Sequence, residues 1–188
     1  FYPSSLEKLG LSLGDITSGY NLIIKPHMWT YYLDSFGGIS LKGQKNLIFK
    51  LIDQFDHIRL LEPAEYHVTP YYKISDLLLT DASSTIYEMI ALSKPVVVNR
   101  FYHLKLSHRI FQNRLFKRRL DKEMNDEIEK FCFLADNVEQ LPLVIDNALN
   151  QNNNHTPLIK EYQKKMLYKL DGSASIRARE EILKRIKR

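Results

Sequence analysis

The stretch Asp76-Leu77-Leu78-Leu79-Thr80-Asp81-Ala82-Ser83-Ser84-Thr85-Ile86-Tyr87-Glu88, running on to Ser93-Lys94-Pro95-Val96-Val97-Val98, decides the architecture of this 188-residue chain. Asp76–Thr80 is short, bounded by polar residues and apolar without alternation, which predicts a strand buried on both faces. Ser84–Ser93 repeats its apolar residues at helical spacing, and Pro95–Val98 is again a continuously apolar strand. Strand, helix, strand with no polar face on either strand is the pattern of a parallel sheet covered on both sides.

The same alternation extends outward. Upstream, Asn21–Lys25 and Ile58–Leu61 read as strands, with a helix over Lys42–Phe55 carried by Leu47, Ile48, Leu51, Ile52 and Phe55. Tyr66–Lys73 reads as a short helix that Pro70 interrupts. Downstream, Phe131–Leu134 reads as a strand and Val138–Leu149 as an amphipathic helix. Gln151–His155 is a polar loop, Thr156–Leu170 a helix, Asp171-Gly172 a turn and Ala174–Lys187 a basic final helix. Right-handed crossovers make such an order an α/β fold with a doubly wound, mostly parallel sheet. Ligands in these folds sit beyond the carboxyl ends of the strands, so the residues that follow each strand are the ones to inspect.

Composition narrows the class. With 44% hydrophobic and 26% charged residues the chain is an ordinary globular one, long enough for a sizeable core. No apolar run reaches the roughly 20 residues needed to span a bilayer. No basic segment followed by an apolar stretch marks a signal peptide. A cytoplasmic location is therefore expected, and Phe1 in place of Met suggests a piece of a longer protein. The single cysteine, Cys132, rules out an intrachain disulfide and reads as a small buried residue on a strand. A net charge of +5 permits nucleic acid, an anionic membrane face or phosphate-bearing ligands as partners, without choosing among them. The cluster Arg109, Arg114, Lys117, Arg118 and Arg119 around Phe111 and Phe116 reads as a solvated face or a docking patch. No nucleic-acid module, Gly-rich phosphate loop, Walker motif or metal-type Cys/His spacing is present, so neither nucleic acid, metal nor cofactor is expected.

Three constellations remain. Lys25-Pro26-His27 follows the first strand; the Lys offers a point charge to a phosphate and the His a hydrogen bond or a proton, the alternative being a surface Lys beside a His that caps locally. Asp81-Ala82-Ser83-Ser84-Thr85 follows a later strand and opens a helix, whose first N–H groups can hold an anion. Glu88, four residues after Ser84, can reach a ribose hydroxyl pair. The alternative is a capping box with Thr85 at the N-cap and Glu88 folding back on it. Asp171-Gly172-Ser173 opens the final helix, as a plain turn and cap or as a second anion site. Met28, Trp29, Tyr31 and Tyr32 form an aromatic segment suited to stacking on a base or sugar, or to packing.

In order along the chain, Ile23-Ile24-Lys25-Pro26-His27, the long Ile74–Glu88 stretch, Ser93–Val98 and Asp171-Gly172-Ser173-Ala174-Ser175-Ile176-Arg177 resemble the CDP-glycerol glycerophosphotransferases of teichoic-acid synthesis. Phe1-Tyr2-Pro3-Ser4 is similar to that family's aromatic-x-Pro-Thr strand end. Met28 stands where the family has Pro, and Ala82 where it has Tyr. The resemblance implies a GT-B enzyme, with residues 1–150 as its Rossmann-like donor-binding domain. Residues 151–188 would be helices packing on that domain or crossing to an N-terminal one, which would supply the general base. It implies His27 as catalytic residue and Lys25, Asp81, Ser83, Ser84, Thr85, Glu88, Ser173 and Arg177 as donor-binding residues. The donor would be CDP-glycerol, the acceptor a cell-surface polymer or lipid-linked chain, with peripheral contact at the inner membrane face. A nucleotide-sugar glycosyltransferase, an enzyme like the UDP-N-acetylglucosamine 2-epimerases, and a non-catalytic nucleotide-binding or membrane-docking module are the alternatives.

Overall fold

The computed structural model describes residues 4–36, 39–65, 67–81, 83–101, 128, 130–150 and 152–186. The expectations on Phe1–Pro3, Ala82 and the basic cluster around Phe111 lie outside these residues.

Two short helices, α1 (Leu6–Leu9) and α2 (Ser12–Ile16), precede strand β1 (Leu22–Ile24). Then come α3 (Met28–Tyr32), a two-residue antiparallel pair β2 (Ser35–Phe36) and β3 (Ile39–Ser40), and α4 (Leu41–Gln54). The chain continues through β4 (Ile58–Leu60), α5 (Thr69–Ile74), β5 (Leu78–Thr80), α6 (Thr85–Ala91) and β6 (Val96–Asn99). Beyond the residues left undescribed lie β7 (Phe133–Ala135), α7 (Leu141–Asn150), α8 (Asn152–Tyr162), a π-helical turn Gln163–Leu167 and α9 (Ala174–Ile186).

The strands form short parallel sheets, as an α/β chain requires. β1 pairs with β4, Leu22 opposite Ile58. β5, β6 and β7 pair in that order, with Leu79 opposite Val97 and Val98 opposite Leu134. Every residue of β6 is buried, so the sheet is covered on both faces, as its unbroken Val-Val-Val predicts. On one face Val97 joins Ile58, Leu51, Ala135, Leu141, Ile145, Leu9 and Leu13; Leu22, Ile24 and Leu79 pack on the same cluster, which binds the two parallel sheets to one core. On the other face Val96 and Val98 meet Ile86, Met89 and Ile90 of α6 and Ile159 and Tyr162 of α8. Burial at this scale contributes about 1.5–3 kcal/mol for each large apolar side chain. Close approach sets one position: a Cβ on Gly14 would lie 2.3 Å from the Phe55 ring, so α2 lies on that ring because residue 14 has none.

Several elements differ from expectation. Pro70 does not interrupt a helix: it occupies the first turn of α5, where its missing N–H costs nothing. The aromatic segment after His27 is a short helix, α3. Gln151–His155 is not a loop beyond residue 151, because α8 already starts at Asn152; Asn is a weak helix former, but Ile159 and Tyr162 are buried at 1% and 7% exposure and anchor the turns ahead of them. The helix foreseen up to Leu170 ends at Tyr162, gives way to the π-helical turn, and is closed by Tyr168 in a left-handed conformation at φ 58°. Cys132 is buried but precedes β7 rather than lying in it, and burial pushes its thiol pKa well up, leaving it inert. Among the described residues no helix is long and apolar enough to cross a membrane.

Candidate functional site

His27 and Lys25 lie immediately after β1. His27 has extended backbone (φ −61°, ψ 146°) and is the N-cap of α3: its Nδ1 accepts the Trp29 N–H at 3.2 Å. An accepting Nδ1 must carry a lone pair, which leaves the ring proton of the neutral imidazole on Nε2. The ring sits edge-on to Trp29, centroids 4.9 Å apart. Lys25 spreads its ammonium 5.5 Å above the Tyr31 ring. Tyr31 in turn donates its hydroxyl to the Leu61 carbonyl just past β4. Its pKa is pushed up to about 12, first by burial and then by Glu62 and Glu65. Trp29 and Tyr32 are exposed at 38% and 64%, so this aromatic segment faces outward in good part.

The second group follows β5. Asp81 accepts the Ser5 N–H on both carboxylate oxygens at 3.2 Å. Ser5 is 3% exposed and its Oγ accepts a 2.9 Å bond from the Nδ2 of Asn99, at the end of β6. Burial raises the Asp81 pKa, opposed by hydrogen bonds from Ser5 and Ser4. The carboxylate therefore holds the start of α1 against the ends of β5 and β6. Ser83 accepts the Thr85 N–H at 3.3 Å and the Thr85 hydroxyl at 3.1 Å. The N–H groups of Ile86 and Tyr87 reach back to the Ser83 and Ser84 carbonyls. The first-turn N–H groups of Thr85, Ile86 and Tyr87 thus already have acceptors, and the exposed Ser83 and Ser84 hydroxyls form the polar rim.

The capping box does not form. Ser84, not Thr85, is the N-cap. Burial, followed by the negative charge of Glu88, pushes the Tyr72 pKa up to about 12. Lys94, quoted above only within a motif, donates to the carbonyls of Tyr72 (2.9 Å), Lys73 (2.5 Å) and Ser75 (2.5 Å) and so pins the end of α5 beside the turn after α6. In that turn Ser93 takes φ 57°, and Gln163 donates to its hydroxyl at 2.9 Å.

The third group is closed on itself. Asp171 accepts Arg177 Nη1 on both oxygens, at 2.7 and 2.8 Å, and the Ser173 N–H at 3.0 Å. Gly172 at φ 71° permits the turn. Arg177, then the Ser173 N–H, lower the Asp171 pKa. The Arg177 guanidinium also lies 5.6 Å from the Tyr168 ring centre.

The bonds described sort the expected residues into three local groups: Lys25 and His27 after β1, Asp81 to Glu88 after β5, and Ser173 with Arg177 at α9. Ser5, Tyr31, Tyr72, Lys94 and Asn99 are the additions that the structure makes to them. Among the described residues no group of three His, Cys, Asp or Glu side chains is placed to hold a metal ion. No family model, curated protein or solved structure matches the chain.

Proposed function

We propose that this chain is the nucleotide-donor-binding domain of a glycerophosphotransferase-type enzyme, with residues 1–150 as a doubly wound, Rossmann-like half of a GT-B fold and residues 151–188 as helices that pack on it or cross to a partner domain. One observation supports this best. His27 and the Asp81–Ser84 turn, the two most motif-like segments, each fall directly after a strand of a parallel pair, the end at which α/β folds hold ligands.

In this reading the donor is CDP-glycerol or a closely related nucleotide-activated alcohol or sugar, and the acceptor is a polymer or lipid-linked hydroxyl at the inner membrane face. The acceptor oxygen attacks the β-phosphorus, the bond from that phosphorus to the bridging oxygen breaks, and CMP leaves with the electron pair. Nε2–H of His27 donates to the charge growing on the phosphates, and Lys25 adds a positive charge nearby. Ser83 and Ser84 offer hydroxyls, Glu88 takes the ribose, and Ser173 with Arg177 flank the phosphates. The proton leaving the acceptor goes to a base outside the groups described above.

His27→Asn separates His27's two tasks. The Asn carbonyl can still cap the Trp29 N–H, but the Nε2–H donor is gone. CDP affinity measured by calorimetry should fall about tenfold, the effect of losing one good hydrogen bond to a charged group, with the melting temperature little changed. Unchanged affinity in the variant, or no binding of CMP, CDP or CDP-glycerol by the wild-type chain, overturns the proposal.

A further inference from the structure

We infer that the outward face of α3, formed by Trp29, Tyr32 and Leu33 with Lys25 and Lys45 beside it, seats a polyol or sugar phosphate unit of the acceptor; the inference rests on the donor-site reading of His27. Trp29, Tyr32 and Leu33 stand at i, i+3 and i+4, which puts them on one side of the helix. All three are exposed, while Thr30 between them is buried. Phe49 of α4, also exposed, lies close by. The Lys45 ammonium donates to the Tyr31 carbonyl at 3.3 Å and lies 6.0 Å from the Phe49 ring centre.

A contiguous apolar face rimmed by charge marks an interaction site, and its borders select the ligand. Lys25 stands 5.5 Å over the Tyr31 ring, and Lys45 stands at the Tyr31 carbonyl. The Tyr31 hydroxyl points the other way, to the Leu61 carbonyl, and the exposed Glu62 is the next residue there. Cations hold a phosphate, a carboxylate accepts hydroxyl protons, and an aromatic face takes the C–H side of a sugar or polyol. An anionic lipid surface matches less well, because Glu62 repels it. Position favours the acceptor over the donor. The Trp29 and His27 ring centres are 4.9 Å apart, so a unit seated on Trp29 lies next to the phosphates that His27 contacts in the donor-site reading. Through Tyr31 and Leu61, α3 leans toward β4, whereas the same reading sends the ribose to Glu88 on α6, beyond β5.

Trp29 is the one tryptophan of the chain, so its emission reports directly on this face. The probes are a synthetic tetramer of glycerol phosphate, tripolyphosphate as an anion without a carbon skeleton, and CDP, each titrated into the full chain by fluorescence and calorimetry. The tetramer should move Trp29 emission to shorter wavelength, and tripolyphosphate should not. Trp29→Leu should weaken tetramer binding about tenfold and Tyr32→Ala about threefold, the weight of apolar surface covered by a small ligand. CDP affinity should stay within about twofold in both. Tyr32→Ala, at the more exposed position, keeps the test decisive if Trp29→Leu does not fold. If the wild-type chain binds CDP but not the tetramer, or if the variants bind the tetramer as well as wild type does, the inference falls alone. If tripolyphosphate moves the emission as the tetramer does, the face is a bare anion site and the inference falls. If CDP loses affinity in step with the tetramer, the face merely supports His27 and the inference falls. If the wild-type chain does not bind CDP, the donor-site reading itself falls.

Discussion

Lys94→Met keeps the aliphatic stem of the side chain and removes its ammonium. Three carbonyls at the end of α5, those of Tyr72, Lys73 and Ser75, then lose their donor. A hydrogen bond with one charged partner contributes about 1.5–3 kcal/mol. Two of these contacts are partly buried and the one to Lys73 is exposed, so water replaces much of what is lost. The lower end, about 1.5 kcal/mol for the set, is the expected destabilisation. For a chain of this size about 1 kcal/mol shifts the melting temperature by roughly 2–4 °C, so calorimetry should show a fall of about 3–6 °C. Urea unfolding should show a lower midpoint at an unchanged slope, because the surface exposed on unfolding is the same. A fall of less than about 1 °C would refute the view that Lys94 clamps α5 rather than merely resting on it.

Two further outcomes follow from the carboxylates. Burial holds the Asp81 pKa above the usual value, so the folded state takes up this proton at a higher pH than the unfolded chain does. Asp81 therefore favours folding most below the ordinary carboxylate value, and that advantage is lost as pH rises through the raised folded value. The stability difference between wild type and Asp81→Asn, from urea titrations at several pH values, should move in favour of wild type as pH falls through this window and be flat near neutrality; the opposite slope would refute the burial argument. Asp171 is the reverse case, lowered chiefly by Arg177, so Arg177→Ala should move its pKa upward toward the ordinary value in a carboxyl-carbon NMR titration, and an unmoved titration would show that the pair is only a close contact.

The layering was legible because it depends on apolar runs. Val96–Val98 and Leu77–Leu79 carry no polar face, and a strand with none needs cover on both sides. Ile48 and Leu51 are buried where the helical period of α4 puts them. Pairings between distant segments were not legible. The Thr85-x-x-Glu88 spacing advertises a capping box, yet the helix starts one residue earlier, with Ser84 at the N-cap. His27 as N-cap was foreseen only as the bland alternative to a ligand contact, and the structure puts its Nδ1 on the Trp29 N–H. Asp81 stood in the motif as a donor-site residue; its tie to Ser5 depends on a backbone N–H seventy-six positions away, which no local pattern reports. At α8, tertiary burial of Ile159 and Tyr162 outweighs the low helix propensity of an Asn run.

The knot of Ser5, Asp81 and Asn99 also constrains the order in which the chain can assemble. α1 has four residues, too few to hold a helix unaided in water. The N–H of its N-cap, Ser5, is secured by Asp81 just past β5, and the Ser5 hydroxyl by Asn99 at the end of β6. Both anchors exist in the right place only once those strands lie side by side. α1, which precedes both strands in the chain, is thus among the last parts to settle, because it waits for ninety-four residues of separation to be closed.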